Sequence, residues 1–245
     1  MANSMPLVER FIRKYGLDAE PNSRQVQEWV QGVNVVAKEA GVLVTVCDLT
    51  QDLYSFQEAH MPELDYLGLR TVSVKELKML IHSGDRDHFT EACIFGLKYF
   101  VNNKREDADN LTLMFECRVR DKHYQYHNVL FKYRIMGGKL PGQQPALVLR
   151  IAVVKRKKVC IPPKGIYIVD TVKQQIVKAI GKNRLTNHEI EKYRKLKLGY
   201  NLGEAAEKAC VSYSSFKRYR QNLYAKTGTS SDFQLSALLK MMNLN

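Results

Sequence analysis

Residues 185–235 read LTNHEIEKYRKLKLGYNLGEAAEKACVSYSSFKRYRQNLYAKTGTSSDFQL, and this stretch decides the fold of the last third of the chain. Polar residues that favour helix N-caps precede each run of helical spacing. The pattern predicts consecutive short helices joined by tight turns. The predicted caps and ends are Thr186 with Glu189 (to near Gly199), Asn201 with Glu204 (through Ala209), Ser212 (to Thr227, then Gly228) and Ser231 with Gln234 (through Met242).

Two of these helices, 202–209 and 213–227, are joined by only Cys210, Val211 and Ser212. A short helix, a tight turn and a longer helix form the arrangement of a helix-turn-helix, whose second helix enters the major groove of DNA. An ordinary basic surface helix explains the same spacing, and that alternative stays open from spacing alone.

The longer helix sorts its residues onto two faces. Lys and Arg suit guanine acceptors and Gln suits adenine, so we predict that Lys217, Arg218 and Gln221 read base edges. The hydroxyls of Ser214 and Ser215, at the helix N-terminus, are predicted to meet DNA phosphates. The opposite, core face carries Phe216, Tyr219 or Arg220, Leu223 and Thr227, and the outer face also carries Ala225.

The same stretch resembles the C-terminal DNA-binding domain of the LuxR/GerE family. The matching positions, in register without a gap, are Leu185, Thr186, Glu189, Gly199, Glu204, Ala206, Ser212, Ser215, Lys217 and the Lys226-Thr227-Gly228 ending. By this resemblance, Lys217, Arg218 and Gln221 match base-reading positions. Three residues depart from the family pattern, namely Ala205, Phe216 and Tyr219, so the operator sequence is not predicted.

The resemblance also implies roles for residues beside the reading face. Ser215, Tyr219 and Lys226 match positions that contact the DNA backbone or anchor the helix. It further implies a homodimer whose two reading helices match a palindromic operator. The last helix carries apolar residues that either form a two-fold contact between subunits or pack onto their own domain, and both interpretations stay open. These residues are Leu235, Leu238, Leu239 and Met242.

Charge divides the 245 residues in the same way. Residues 1–154 hold 19 Lys+Arg and 19 Asp+Glu, whereas residues 155–245 hold 19 and 6, so the whole formal charge of +13 lies in the C-terminal part. A neutral half joined to a basic half suggests a module that faces a polyanion. A solvated basic surface that only aids solubility is the alternative.

The N-terminal half alternates apolar and polar residues with period two in 111–119, 129–135 and 147–153. Such alternation predicts antiparallel strands with one dry and one wet face. An amphipathic helix at 23–40, a strand at 42–47, a helical stretch at 74–103 and a loop at 137–145 complete an α+β domain.

This half resembles a PAS domain. The segment IHSGDRDHFTEA (81–92) is similar to the H-P-x-D segment before a PAS helix, with Asp85 in place and Ser83-Gly84 departing from the usual proline. The hairpin FECRVRDKHYQYHNVLFKYRIM and the strand LVLRIAVV also match. The resemblance implies a sensory or dimerisation module with a sheet on one side of a pocket.

The predicted fold class is therefore an α+β PAS-like sensor domain, an antiparallel sheet with flanking helices, followed by an all-α four-helix LuxR-type helix-turn-helix domain. The predicted boundaries are 1–154 for the sensor, 155–168 for a basic, Pro-containing linker (from KRKKVCIPPKG, 155–165) and 169–245 for the DNA-binding domain. Residues 169–180 are expected to form a helix of that second domain.

No residue pattern specifies a cofactor, so the cofactor is unknown. His82 and His88 are weak candidates for haem ligands, His123 and His127 for a metal, and Asp48 for phosphorylation. Five widely spaced cysteines without a CxxC pair argue against a zinc ribbon or a disulfide scaffold, and fit a reducing cytoplasm. No catalytic motif indicates an enzyme, and no secretory signal or membrane span is expected.

These observations predict a cytoplasmic DNA-binding transcription regulator. Helix 213–227 is expected to read the major groove, and the PAS-like domain is expected to modulate this activity through an unknown ligand or partner. Its expected partners are double-stranded DNA, a second copy of the chain, a small molecule in the PAS-like domain and RNA polymerase, with no membrane. The alternative is a small-molecule-binding sensor whose basic C-terminal half docks on RNA or a protein.

Overall fold

The computed structural model describes residues 7–17, 42–48, 53–56, 71–103, 105–136, 146–153, 165–181, 184–197 and 201–244. The chain divides into two compact units, Met1–Val153 and Val154–Asn245. The predicted helix 23–40 and loop 137–145 lie outside the described residues, as do most residues of the predicted linker. Within the described ranges, no helix is long and apolar enough to cross a membrane.

The first unit is an antiparallel sheet with flanking helices, which is consistent with a PAS-like fold. The six strands among its described residues lie in the order β3-β2-β1-β6-β5-β4, with every neighbouring pair antiparallel. The elements in chain order are α1 (Leu7–Tyr15), β1 (Val42–Asp48), β2 (Leu53–Phe56), β3 (Thr71–Ser73), α2 (Val74–Leu80), α3 (Arg86–Asn102), β4 (Leu111–Arg120), β5 (Tyr126–Met136) and β6 (Ala146–Val153), with 3₁₀ turns at Ser83–Asp85 and Arg105–Asn110.

Helix α3 packs across one face of this sheet. The Phe89 ring meets the rings of Phe115 and Phe131 edge-on, at centroid distances of 5.7 and 5.6 Å, and those two rings stack at 5.3 Å. Gly96 lets α3 approach closely, because a Cβ there would lie 2.5 Å from Cδ2 of Leu113. The aromatic cluster lies on the sheet face that carries the odd-numbered residues of β4 and those of β5 from Val129 to Ile135.

The predicted helical stretch 74–103 is two helices with a break between them. Ile81 forms a β-bridge with Val119, and His82 caps the following turn by accepting a hydrogen bond from the Gly84 N–H. The Asp85 carboxylate is 2% exposed and accepts hydrogen bonds from the Arg118 backbone N–H (3.0 Å), Nε and Nη2 (both 2.8 Å). Asp85 therefore fixes the start of α3 to β4.

The prediction that the polar face of the sheet is exposed to solvent is wrong for the central strands. Thr112, Glu116 and Lys132 point away from α3, yet all three are buried. Polar alternation reports the direction in which a side chain points, and it does not report whether that face is covered in the folded chain.

The first described element of the second unit is a β-hairpin rather than a helix, so the prediction of an all-α domain from residue 169 is wrong. Strand β7 (Ile166–Asp170) starts inside the predicted linker and pairs antiparallel with β8 (Gln175–Ile180). Asp170 Oδ1 accepts hydrogen bonds from the backbone N–H groups of Val172 and Lys173, and Gln174 has φ +52°. This side-chain turn and the β-branched flanks favour a hairpin over a helix.

Four helices follow the hairpin in the part of this unit that the structure describes, near the predicted bounds. They are α4 (Asn187–Lys197), α5 (Leu202–Lys208), α6 (Tyr213–Thr227) and α7 (Asp232–Met241). The capping boxes Thr186–Glu189 and Asn201–Glu204 form in both directions. Ser231 caps α7, but Gln234 Oε1 accepts from the Ser230 N–H instead of closing a box with Ser231. Gly228 ends α6 with φ +62°, the left-handed conformation expected at that position.

Candidate nucleic-acid interface

Helix α6 is the element that carries the candidate site, and its start is set by the turn before it. Val211 N–H bonds to the Ala206 carbonyl at 3.0 Å, Cys210 has φ +53°, and Ser212 accepts the Ser215 N–H. The Phe216 ring, 1% exposed, packs on Ala205 and Ala206 of α5. The small side chain of Ala205 leaves room beside the bulky Phe216.

The two predicted faces of α6 are present in the structure. Phe216, Leu223 and Thr227 are buried. The outer face is fully solvated, because Ser214, Lys217, Arg218, Gln221 and Ala225 are all exposed. Among the described residues, no carboxylate pairs with Lys217 or Arg218. The outer face therefore presents two unneutralised cations and one amide, while its base-reading role stays a prediction.

The four predicted DNA-backbone residues divide into two pairs. Ser214 and Ser215 are exposed at the N-terminus of α6, and both hydroxyls lie within hydrogen-bond distance of the Ser212 hydroxyl. Tyr219 and Lys226 are half-buried and turn towards α4 instead. Of the two roles left open for this second pair, the contacts favour anchoring the helix.

Glu189 of α4 is the centre of that anchor. Its carboxylate accepts the Lys226 ammonium (Oε1–Nζ 2.5 Å) and the Thr186 N–H, and its backbone carbonyl accepts the Tyr219 hydroxyl. Burial raises the pKa of Glu189, but the hydrogen bonds from Lys226 and Thr186 outweigh burial, so its pKa lies below the ordinary value. Burial and the nearby Glu189 raise the pKa of Tyr219. The sequence identified Glu189 as a capping residue and as a matching position of the resemblance, but not as the partner of Lys226 and Tyr219.

A second anchor joins α6 to α7 through Asp232. Its carboxylate pairs with Arg220 (Nη1–Oδ2 3.1 Å) and accepts the Tyr224 hydroxyl (2.7 Å), while its carbonyl accepts the Tyr193 hydroxyl of α4 (3.0 Å). Arg220 thereby belongs to the packed side of α6. These long-range partners leave no trace in local periodicity, so sequence patterns could not find them.

The four apolar residues that the sequence singled out in the last helix are buried within the chain, whereas Phe233 of the same helix is exposed. Leu235, Leu238, Leu239 and Met242 are each 3% exposed or less. Of the two readings left open for them, the structure supports packing onto their own domain. A homodimer stays a prediction, and these four side chains do not supply its contact.

In the first unit, an apolar cavity of about 60 Å³ lies between α1, α3 and the sheet. Its wall includes apolar side chains from both helices and the sheet, together with Cys93 and Tyr133. The apolar residues are Phe11, Phe100, Leu113 and Leu147. Burial raises the pKa of the Cys93 thiol to about 12, although its hydrogen bond with Tyr133 acts in the opposite direction. This cavity is far smaller than the several hundred cubic ångströms of a typical site for a drug-sized ligand.

The weak cofactor candidates do not converge. No cluster of three potential metal ligands occurs in the described part of the chain. His88 is buried beside Phe115, and His127 Nε2 pairs with Asp121 Oδ2 at 2.8 Å. Asp48 is the last residue of β1. The described cysteines (Cys47, Cys93, Cys117 and Cys210) are free thiols, and Cys160 lies outside the described residues.

No protein-family model matches the chain, and no curated protein matches it either. Among solved structures, the chain is similar to a sensory box histidine kinase/response regulator from Burkholderia thailandensis E264, at 15% identity and TM-score 0.34, over 50% of this chain and 83% of that one. It is also similar to a phage VqmA–DPO complex (10% identity, TM-score 0.34, 91% and 92% of the two chains).

A third similar structure is the Vibrio cholerae VqmA dimer, described as a LuxR-type receptor, at 14% identity and TM-score 0.24. The match spans 60% of this chain and 62% of that one. These TM-scores are too low to carry an argument, so the function below rests on the geometry of this chain.

Proposed function

We propose that the chain is a transcription regulator that binds double-stranded DNA through the outer face of α6. Lys217, Arg218 and Gln221 read base edges in the major groove, and Ser214 and Ser215 contact phosphates at the helix N-terminus. The observation that carries the proposal is that Lys217 and Arg218 are exposed and unneutralised while the opposite face of the same helix is buried. A polyanion supplies the missing counter-charge.

The proposal includes a regulatory role for the first unit, with no enzymatic activity. As part of the proposal, a portion of a small apolar molecule enters the cavity between α1 and α3, which is too small for a whole drug-sized ligand. Binding there would stabilise the packing of α1 on α3 and thereby shift the population of states available to the chain. A homodimer acting at RNA polymerase, with two copies of α6 on a palindromic site, completes the proposal.

The experiment is selection of bound fragments from sheared genomic DNA by the purified full-length protein, followed by salt titration of the best fragment. We expect one enriched motif and a steep loss of affinity with salt, because each neutralised phosphate releases about 0.9 counterion. A palindromic motif would support the dimer. Binding to RNA alone, or no sequence enrichment with a flat titration, would contradict the proposal and favour a sensor that docks on RNA or a protein.

A further inference from the structure

The DNA-backbone contacts assigned to one flank of α6 lack a cation. Tyr219 donates its hydroxyl to the Glu189 carbonyl, so that hydroxyl is already engaged inside the unit. The Lys226 ammonium is neutralised by the Glu189 carboxylate at 2.5 Å. A phosphate on this flank would therefore need another positive group.

Lys192 of α4 supplies such a group. It lies one turn after Glu189, so both residues point to the side of α4 that faces α6. Its ammonium sits 5.1 Å from the centroid of the Tyr219 ring, within the range of a cation–π contact. No carboxylate among the described residues pairs with it. Lys192 is thus an unneutralised cation held against α6 by a ring whose hydroxyl is fixed.

The position of Tyr219 on α6 places this cation beside the reading face. Ser215 lies one turn before Tyr219, and Asn222 lies three residues after it, so the three share one flank of the helix. Ser215 and Asn222 are both exposed. When a helix lies in the major groove, the phosphates of the two strands run along its flanks. The Lys192 ammonium lies on the side where one of these strands would pass.

We propose that Lys192 is a phosphate contact that accompanies α6 in the DNA complex, and that the Tyr219 ring positions it. This inference rests on the DNA-binding function proposed above. It moves the contacts assigned to Tyr219 and Lys226 to the neighbouring helix, leaves the Ser215 contact in place, and gives Tyr219 a positioning role in place of a direct one.

The hairpin provides a matched control on the other side of α4. Asn187 bonds to both the N–H (2.8 Å) and the carbonyl (3.1 Å) of Ile176, and Arg194 donates to the Gln174 carbonyl at 3.0 Å. Asn187 and Arg194 lie across α4 from Glu189 and Lys192. Lys178, exposed on β8, therefore carries the same charge on the side of α4 away from α6.

The test measures how the affinity of the full-length protein for its selected duplex depends on salt, for wild type, Lys192→Gln and Lys178→Gln. The plot of log K against log salt has a negative slope, and loss of one phosphate contact makes this slope shallower by about 0.9. We expect this decrease for Lys192→Gln only, with the preferred motif unchanged and with the wild-type slope restored by Lys192→Arg. A thermal melt of each variant checks that the unit stays folded.

Each other outcome is decisive. If wild type binds its motif with a steep slope and Lys192→Gln leaves that slope unchanged, the inference is wrong and the proposed function stands. An equal decrease for Lys178→Gln would also overturn it, since charge anywhere on the unit would then suffice. If wild type shows no sequence-specific, salt-dependent binding, the proposed function itself fails.

A second variant separates the two roles of Tyr219. Tyr219→Phe keeps the ring under the Lys192 ammonium and removes the hydroxyl that bonds to Glu189. We expect a lower melting temperature with an unchanged affinity and salt slope once the protein is folded. A large loss of affinity by the folded variant would show that the Tyr219 hydroxyl contacts DNA, which would overturn the positioning role.

Discussion

The cations of β5 and β6 and those of α6 belong to the same residue types and differ in their surroundings. Lys132 of β5 is 8% exposed and lies directly across from Arg150 of β6. Burial, and then the nearby Arg150, lower the pKa of Lys132 to about 7. Lys217 and Arg218 of α6 are exposed. The comparison shows that a count of charges does not locate a binding surface, because a cation is available to a polyanion only where the fold leaves it solvated.

The ion pair between the buried Asp85 carboxylate and the half-buried Arg118 guanidinium gives the largest expected effect. Arg118 is held by the buried Asp85 carboxylate, and that hydrogen bond raises the pKa of Arg118. Asp85→Asn removes the counter-charge and leaves the guanidinium without one, which should lower the free energy of unfolding of the first unit by about 3 kcal/mol. Urea unfolding followed by far-UV circular dichroism measures this change. The exposed Asp87, changed to Asn, is the control, and an equal loss in both variants would contradict the expectation.

The exposed cations should matter for binding and not for folding. Lys217→Ala or Arg218→Ala should each weaken binding of the selected duplex by about 1–3 kcal/mol if the contact to a base is bidentate. Thermal stability should stay unchanged, because neither side chain has a partner among the described residues. Fluorescence anisotropy with the selected duplex and with duplexes changed at single positions measures both affinity and specificity. Lys240→Ala, an exposed cation on α7, serves as the control.

Normal binding by both α6 variants would show that the assigned reading face is wrong. A uniform loss across all duplexes would show instead that the two side chains contact phosphates rather than bases.

Local patterns predicted the elements that local chemistry determines. The caps at Thr186, Asn201 and Ser212 and the glycine at 228 are set by residues within one turn, and they lie where the sequence placed them. The sorting of α6 into a buried and an exposed face followed from its 3.6-residue period. The unpaired state of Lys217 and Arg218 was not predictable, since it depends on where the carboxylates of other helices lie.

Long-range packing decided what the sequence missed. Residues 169–180 have apolar spacing that suits either helix or strand, and the side-chain turn at Asp170 with Asn187 bonded to Ile176 selects the hairpin. The pairing of Lys226 with Glu189 joins residues 37 positions apart. The burial of Lys132 depends in the same way on what covers the sheet, and a period-two pattern does not contain that information.

The buried Lys132 predicts a pH-dependent gain in stability on its removal. With a pKa of about 7 when folded and 10.5 when unfolded, Lys132 binds fewer protons in the folded state between those values, so wild-type stability from this group rises with pH across that window. Lys132→Met removes the burial penalty together with the contacts that Lys132 makes, so its stability relative to wild type should be on the order of 1–2 kcal/mol higher at pH 6 than at pH 9.5. Urea unfolding at both pH values measures this difference. Lys98→Met, an exposed lysine on α3, should show no such trend, and a gain independent of pH would contradict the assigned burial.

The smallest expected effect tests whether pairing with Glu189 is the only reason that Lys226, unlike Lys217, is not available to bind DNA. Glu189→Gln keeps a hydrogen-bonding side chain at the cap and removes the negative charge that faces Lys226. Because Lys226 is only half-buried, solvent screens the pair, and the loss of unfolding free energy should be below about 1 kcal/mol. The freed ammonium should raise the salt slope of DNA binding by up to about 0.9, the value of one further phosphate contact. If the salt slope is unchanged and the variant melts normally, the position of Lys226 on α6, and not its pairing with Glu189, keeps its ammonium from contacting phosphate. The exposure of a cation would then not be enough to explain which cations of this chain contact DNA.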